Sequence, residues 1–96
     1  MKKMIKEYIN KIAESYQIDK VYLFGSMARN DMDDNSDIDL VVVFDGKANL
    51  GDRFLNFILD IQKKFNRRAD VITEKMLSKN PYFKKNVEND LEIIYG

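Results

Sequence analysis

The chain contains no cysteine and no histidine. The first absence removes disulfides, Cys-based zinc sites and thiol chemistry. The second removes imidazole as a base or metal ligand, so any catalysis falls to carboxylates, hydroxyls, lysine or arginine. Sixteen basic and sixteen acidic residues cancel; without a bulk attraction to polyanions, no direct nucleic-acid partner is expected. No apolar run approaches the roughly 18 residues that span a bilayer, and the N-terminus lacks the apolar centre of a signal peptide. No membrane association is therefore expected, and a cytoplasmic location is. Ninety-six residues predict one domain, 1–96, with room for a single core and none for a second, acceptor-gripping domain.

What is present is a clear alternation of patterns. Residues 2–16 predict an amphipathic helix, with Ile5, Tyr8, Ile9, Ile12 and Tyr16 at three- and four-residue spacing. Val21–Phe24 predicts a buried strand ending at Gly25. Residues 26–31 predict a turn and a short helix, and 31–36 a polar loop. A second strand is expected over Asp37–Phe44, closed by Asp45-Gly46. Leu50–Phe65 predicts a long helix with an apolar stripe of Leu50, Phe54, Phe57, Ile58, Ile61 and Phe65. Leu55 and Leu59 fall off that stripe, leaving them either exposed or against the first helix. Ala69–Thr73 predicts a third strand. Asn80-Pro81 predicts a cap and first helical position for a helix over 81–90. Residues 91–95 fit a last helical turn or a short strand. The expected fold is α/β, a small mixed β-sheet covered by helices.

Gly25-Ser26 is separated by ten residues from Asp37-x-Asp39, and each end of that span has a chemical use. A glycine after a strand lets backbone approach a ligand closely, and Ser26 at a helix start offers N–H groups and a hydroxyl to phosphate oxygens. Arg29, about one turn on, is placed to neutralise charge on a triphosphate or on the acidic loop. Asp37 and Asp39 share one face of the second strand, while Ile38 and Leu40 share the other. Two carboxylates this close repel unless a cation sits between them, and magnesium takes oxygen ligands of this kind. Asp70, flanked by apolar residues, is a charge that needs a reason, because an unpaired buried carboxylate is costly. From an adjacent strand it would complete a three-carboxylate site for one or two ions.

Taken singly, these features have plainer explanations: a turn at Gly25-Ser26, a solvated strand start or cap at Asp37, a pairing of Asp70 with Arg67 or Arg68. The basic group Lys63, Lys64, Arg67 and Arg68 fits a solvated helix end. Asp31-x-Asp33-x-Asn35 matches the first ligand positions of an EF-hand, but Ser36 stands where that loop needs glycine and Val42 where it needs glutamate. Neither a P-loop nor a Gly-x-Gly-x-x-Gly motif occurs.

Gly25-Ser26, the ten-residue gap, Asp37-x-Asp39, Leu40-Val41-Val42 and the later Asp70 closely resemble the signature of the DNA polymerase β-like nucleotidyltransferases. The Gly-Ser-Met-Ala-Arg segment and short length resemble the minimal nucleotidyltransferases (MNT or MntA type), often antitoxins encoded beside a HEPN-domain protein. Many relatives have glycine where this chain has Asn30, a residue that tolerates the left-handed conformation. The resemblance implies that Asp37 and Asp39 bind two Mg²⁺ ions and that Asp70 binds the one activating an incoming hydroxyl. Gly25 and Ser26 would hold the β- and γ-phosphates of ATP. It further implies AMP transfer to a tyrosine of a HEPN ribonuclease toxin. Two other functions stay open: an antitoxin that inhibits by binding alone, and a transferase acting on a small molecule or RNA.

Overall fold

A computed structural model describes residues 1–31, 33, 35–46 and 51–96. Its first element, α1 (Lys2–Ile12), buries Ile5 and Ile9 completely. The expected helix over 2–16 tightens into a 3-10 turn at Ala13–Tyr16, ended by Gln17 in the left-handed region. Strand β1 (Ile18–Phe24) starts three residues before the expected strand. The missed residues include exposed Asp19 and Lys20, whose polarity hid the strand from a search for apolar runs. A short helix α2 (Gly25–Arg29), strand β2 (Ile38–Phe44) and helix α3 (Gly51–Phe65) follow. Asp37 thus precedes its strand, and Leu50, expected to open α3, lies outside the described residues.

Strand β3 (Ala69–Thr73) has the expected bounds. Next comes α4 (Glu74–Ser78), which the periodicity did not predict because five residues are too few to display a stripe. Its start is nonetheless chemically marked, since the Thr73 hydroxyl accepts from the Met76 N–H at 3.1 Å and Glu74 favours the positive end of the helix. Helix α5 (Pro81–Glu88) opens as expected, with Asn80 as cap and Pro81 in the first turn, but ends two residues early. The ambiguous tail is strand β4 (Glu92–Tyr95).

The sheet order is β3-β2-β1-β4. Strands β1 and β2 pair antiparallel, β1 and β4 likewise, and β2 and β3 parallel, so the sheet is mixed as expected. The parallel pair requires a crossover, which α3 supplies. On one face, Leu23, Leu40 and Val42 pack with Ile5, Ile9, Phe57 and Ile61 of α1 and α3. Truncating Phe57, fully buried there, would cost about 3–5 kcal/mol. The Asp60 carboxylate fastens those helices together by accepting from both the Tyr8 and Tyr16 hydroxyls. On the opposite face a smaller cluster of Phe24, Val41, Leu77 and Val87 lies beneath α4 and α5. Leu55 and Leu59 are exposed, at 54% and 50%, which decides between the two alternatives for them. Among the described residues, no helix is long and apolar enough to cross a membrane.

Candidate active site

Phe24 ends β1 in an extended conformation, and Gly25 then turns the chain into α2 with φ +72°. That left-handed angle is strained for any residue bearing a β-carbon. A β-carbon at Gly25 would also overlap a carboxylate oxygen of Asp39, so glycine is required both by the backbone and by its neighbour. Ser26 occupies the second position of α2, and its carbonyl accepts from the Asp31 N–H at 2.9 Å. Asn30 closes the helix at φ 62°, ψ 28°, the left-handed conformation expected of it.

Asp39 is central. In the sheet register it lies opposite Phe24 on β1 and opposite Asp70 on β3. Its face of β2 also carries Val41, while Ile38 and Leu40 point into the main core. Asp39 is half-buried, and its pKa is raised from 3.8 to about 6 by that burial, then by the negative charges of Asp70 and Asp37, with Arg29 opposing. The two expected partners of Asp39 are therefore near enough to act on it electrostatically.

Asp70 corrects one expectation. It is exposed rather than buried, because it lies on the sheet face that carries Asp39, while Ala69 and Val71 on the other face of β3 pack against the main core. Its charge therefore carries no burial cost. Among the described residues, no three acidic side chains form a preassembled metal-ligand cluster. The donor set still fits magnesium: every candidate ligand is a hard oxygen, and a divalent ion would offset both the burial of the Asp39 charge and its repulsion by Asp70 and Asp37.

The plainer explanations fare unevenly. Arg67 donates to the carbonyls of Asp33 at 2.8 Å and Ser36 at 3.0 Å, fastening the acidic loop beside β3. Within that loop, Asp33 accepts from the Asn35 N–H at 2.8 Å, so its carboxylate shapes a turn. Arg29 donates to Asp31 at 3.1 Å and to Asp90 at 2.7 Å. The acidic-loop role expected for Arg29 is thus observed, together with an anchor at Asp90 that sequence inspection missed. Sixty-one positions separate Arg29 from Asp90, and no local pattern links them.

Comparison with known proteins gives this geometry a context. Residues 7–96 match the model of the family described as polymerase beta nucleotidyltransferase. A candidate protein adenylyltransferase of Methanocaldococcus jannaschii is 33% identical over 92 residues, covering 95% of this chain and 91% of the relative. Among solved structures, a candidate minimal nucleotidyltransferase superposes with a TM-score of 0.76 at 23% identity, covering 94% of this chain and 89% of that one. A chain from the complex of tri-AMPylated Shewanella oneidensis HEPN toxin with MNT antitoxin gives a TM-score of 0.71 at 16% identity, covering 100% and 73%. One from a toxin–antitoxin crystallised with AMP-PNP gives 0.74 at 18%, covering 95% and 73%. At these identities the structural likeness is one of fold.

Proposed function

Since the chain belongs to the polymerase β nucleotidyltransferase family, we propose that it transfers AMP from ATP to a tyrosine hydroxyl of a HEPN ribonuclease toxin, acting as that toxin's antitoxin in the cytoplasm. The observation that carries this is Asp39, packed against Gly25 on one side and in register with Asp70 on the other. It joins the turn proposed to hold phosphates and the proposed metal ligands at one end of the sheet.

In this proposal the Ser26 hydroxyl and the N–H groups opening α2 hold the β- and γ-phosphates. Asp37, Asp39 and Asp70 would hold two Mg²⁺ ions, which supply charge neutralisation on the phosphates and on the leaving pyrophosphate. The acceptor oxygen forms its bond to the α-phosphorus as the bond from that phosphorus to the β-bridging oxygen breaks. Pyrophosphate leaves with the electron pair, and the hydroxyl proton passes to the carboxylate of exposed Asp70 and from there to solvent. A site built this way works by positioning and charge, which suits a chain without histidine.

The partner is proposed from the company the fold keeps, a HEPN toxin in one related complex and a nucleotide analogue in another. To test it, the chain and its HEPN partner are incubated with Mg-ATP and the partner is weighed intact. Each AMP, added with loss of pyrophosphate, raises the mass by about 329 Da. Asp37→Ala/Asp39→Ala protein should leave the mass unchanged. An unmodified partner inhibited equally by wild type and double variant would mean inhibition by binding alone. Modification of an RNA end or small hydroxyl compound in place of the partner would favour the remaining alternative.

A further inference from the structure

We propose that Phe83 is the wall on which the base of the bound nucleotide stacks, an inference that rests on the nucleotidyl-transfer proposal above. The sheet face that carries Asp39 continues directly into the cluster of Phe24, Val41, Leu77 and Val87. Phe24 is the junction, since it lies opposite Asp39 in the register and immediately precedes Gly25. The Phe83 ring meets Phe24 nearly perpendicularly, with centroids 6.3 Å apart and planes at 83°. Within that pair the exposures differ sharply, 7% for Phe24 and 37% for Phe83. An aromatic ring that only closed a small core would gain by burying the rest of its surface. Phe83 instead stays partly open, in contact with the residue that immediately precedes the turn proposed to hold phosphates.

Its position is also unusually well held. The Asn80 side chain accepts from the backbone N–H of Phe83 itself, at 3.1 Å, and Pro81 presets the first turn of the helix. At the other end of α5, Asp90 is tied to Arg29 of α2. Both ends of the segment that carries Phe83 are therefore fastened, one of them to the helix that Gly25 opens. A prepositioned ring of this kind loses little freedom when a flat base settles on it. Stacking is also tolerant of base identity, because every base presents a π-face. The phosphates then supply charge recognition and the ring supplies the apolar contact for the other end of the nucleotide.

Calorimetry with two ligands, Mg-ATP and inorganic tripolyphosphate with magnesium, tests this. Phe83→Leu keeps apolar volume against Phe24 while removing the aromatic face, and Phe83→Ala removes both. In variants that retain the wild-type circular dichroism spectrum, ATP affinity should fall on the order of tenfold, with tripolyphosphate affinity unchanged. If Phe83→Ala fails to fold, Phe83→Leu alone decides. Unchanged ATP affinity, or equal losses for both ligands, overturns the stacking role and leaves nucleotidyl transfer standing. Wild-type protein that binds neither ligand overturns the transfer proposal and the stacking role together.

Discussion

The Asp39 carboxylate occupies the space that a β-carbon on Gly25 would need. A proposed metal ligand and a proposed phosphate-binding turn are thereby in direct contact, across the boundary between β1 and β2. Gly25→Ala should suffer twice, from the positive φ and from the overlap. The backbone share is about 1–2 kcal/mol, with the steric share added to it. In an Asp39→Ala background the overlap disappears, because the remaining β-carbon of residue 39 would stand 3.5 Å away, an ordinary contact. Urea unfolding of the four proteins in this cycle should show a smaller penalty for Gly25→Ala in the Asp39→Ala background. Equal penalties in both backgrounds would refute the contact.

A pH dependence follows from Asp39. Its folded pKa of about 6 exceeds the ordinary 3.8, so the native state binds the proton more tightly than the unfolded chain. Where the native state holds more protons, stability falls as pH rises. Metal-free wild type should therefore lose stability relative to Asp39→Asn between about pH 4 and pH 6, and no further above that window. Magnesium binding should strengthen over the same interval, because only the ionised carboxylate is a ligand. Chemical unfolding at stepped pH, with and without magnesium, checks both. A wild-type-to-variant difference that stays flat from pH 4 to 7 would show that Asp39 titrates normally.

Arg29 is held by Asp31 and Asp90, and a double comparison separates anchoring from ligand contact. Asp90→Ala removes only the anchor, whereas Arg29→Ala removes the anchor and any bond to phosphate. Both variants should lower the melting temperature slightly, as exposed ion pairs contribute little. Arg29→Ala alone should weaken ATP binding if the guanidinium reaches the triphosphate. Equal ATP affinities in the two variants would confine Arg29 to the anchor.

Asp60 joins the first helical segment to α3 through two tyrosines, and its loss should be legible in their titration. Tyr16 is pushed up to about 12, by burial first and then by its hydrogen bond to Asp60. Tyr8 is raised mainly by its hydrogen bond to the same carboxylate. Because the folded-state values lie above the ordinary 10, stability should fall as pH rises from about 10 towards 12. Asp60→Asn should return Tyr8 most of the way to normal and Tyr16 only in part, at a cost of about 1 kcal/mol at neutral pH. Ultraviolet difference titration measures this directly. Identical tyrosine titrations in wild type and variant would remove Asp60 from the account.

Much of the layout was present in one dimension. The stripes of residues 2–16 and 54–65 reported their buried faces because helix period and core contact coincide. Asn80-Pro81 marked a helix start through chemistry confined to adjacent residues. Gly25 and Asn30 were equally legible, since turn conformations are local properties of the backbone; the expected parity of Asp37 and Asp39 was not, because Asp37 precedes the strand. Other features had no local trace. Strand β4 pairs with the open edge of β1, and Ile94 there joins the main core with Ile5 and Ile9 of α1. The exposure of Asp70 follows from its lying on the sheet face away from the main core, which packing of the helices determines. Arg29 finds Asp90, and Phe24 finds Phe83, only after segments far apart in sequence are brought together in the fold. Residue type and spacing supplied the chemistry on each element. Folding decided which charges meet, because repulsion, burial and ion pairing depend on distances in space rather than along the chain.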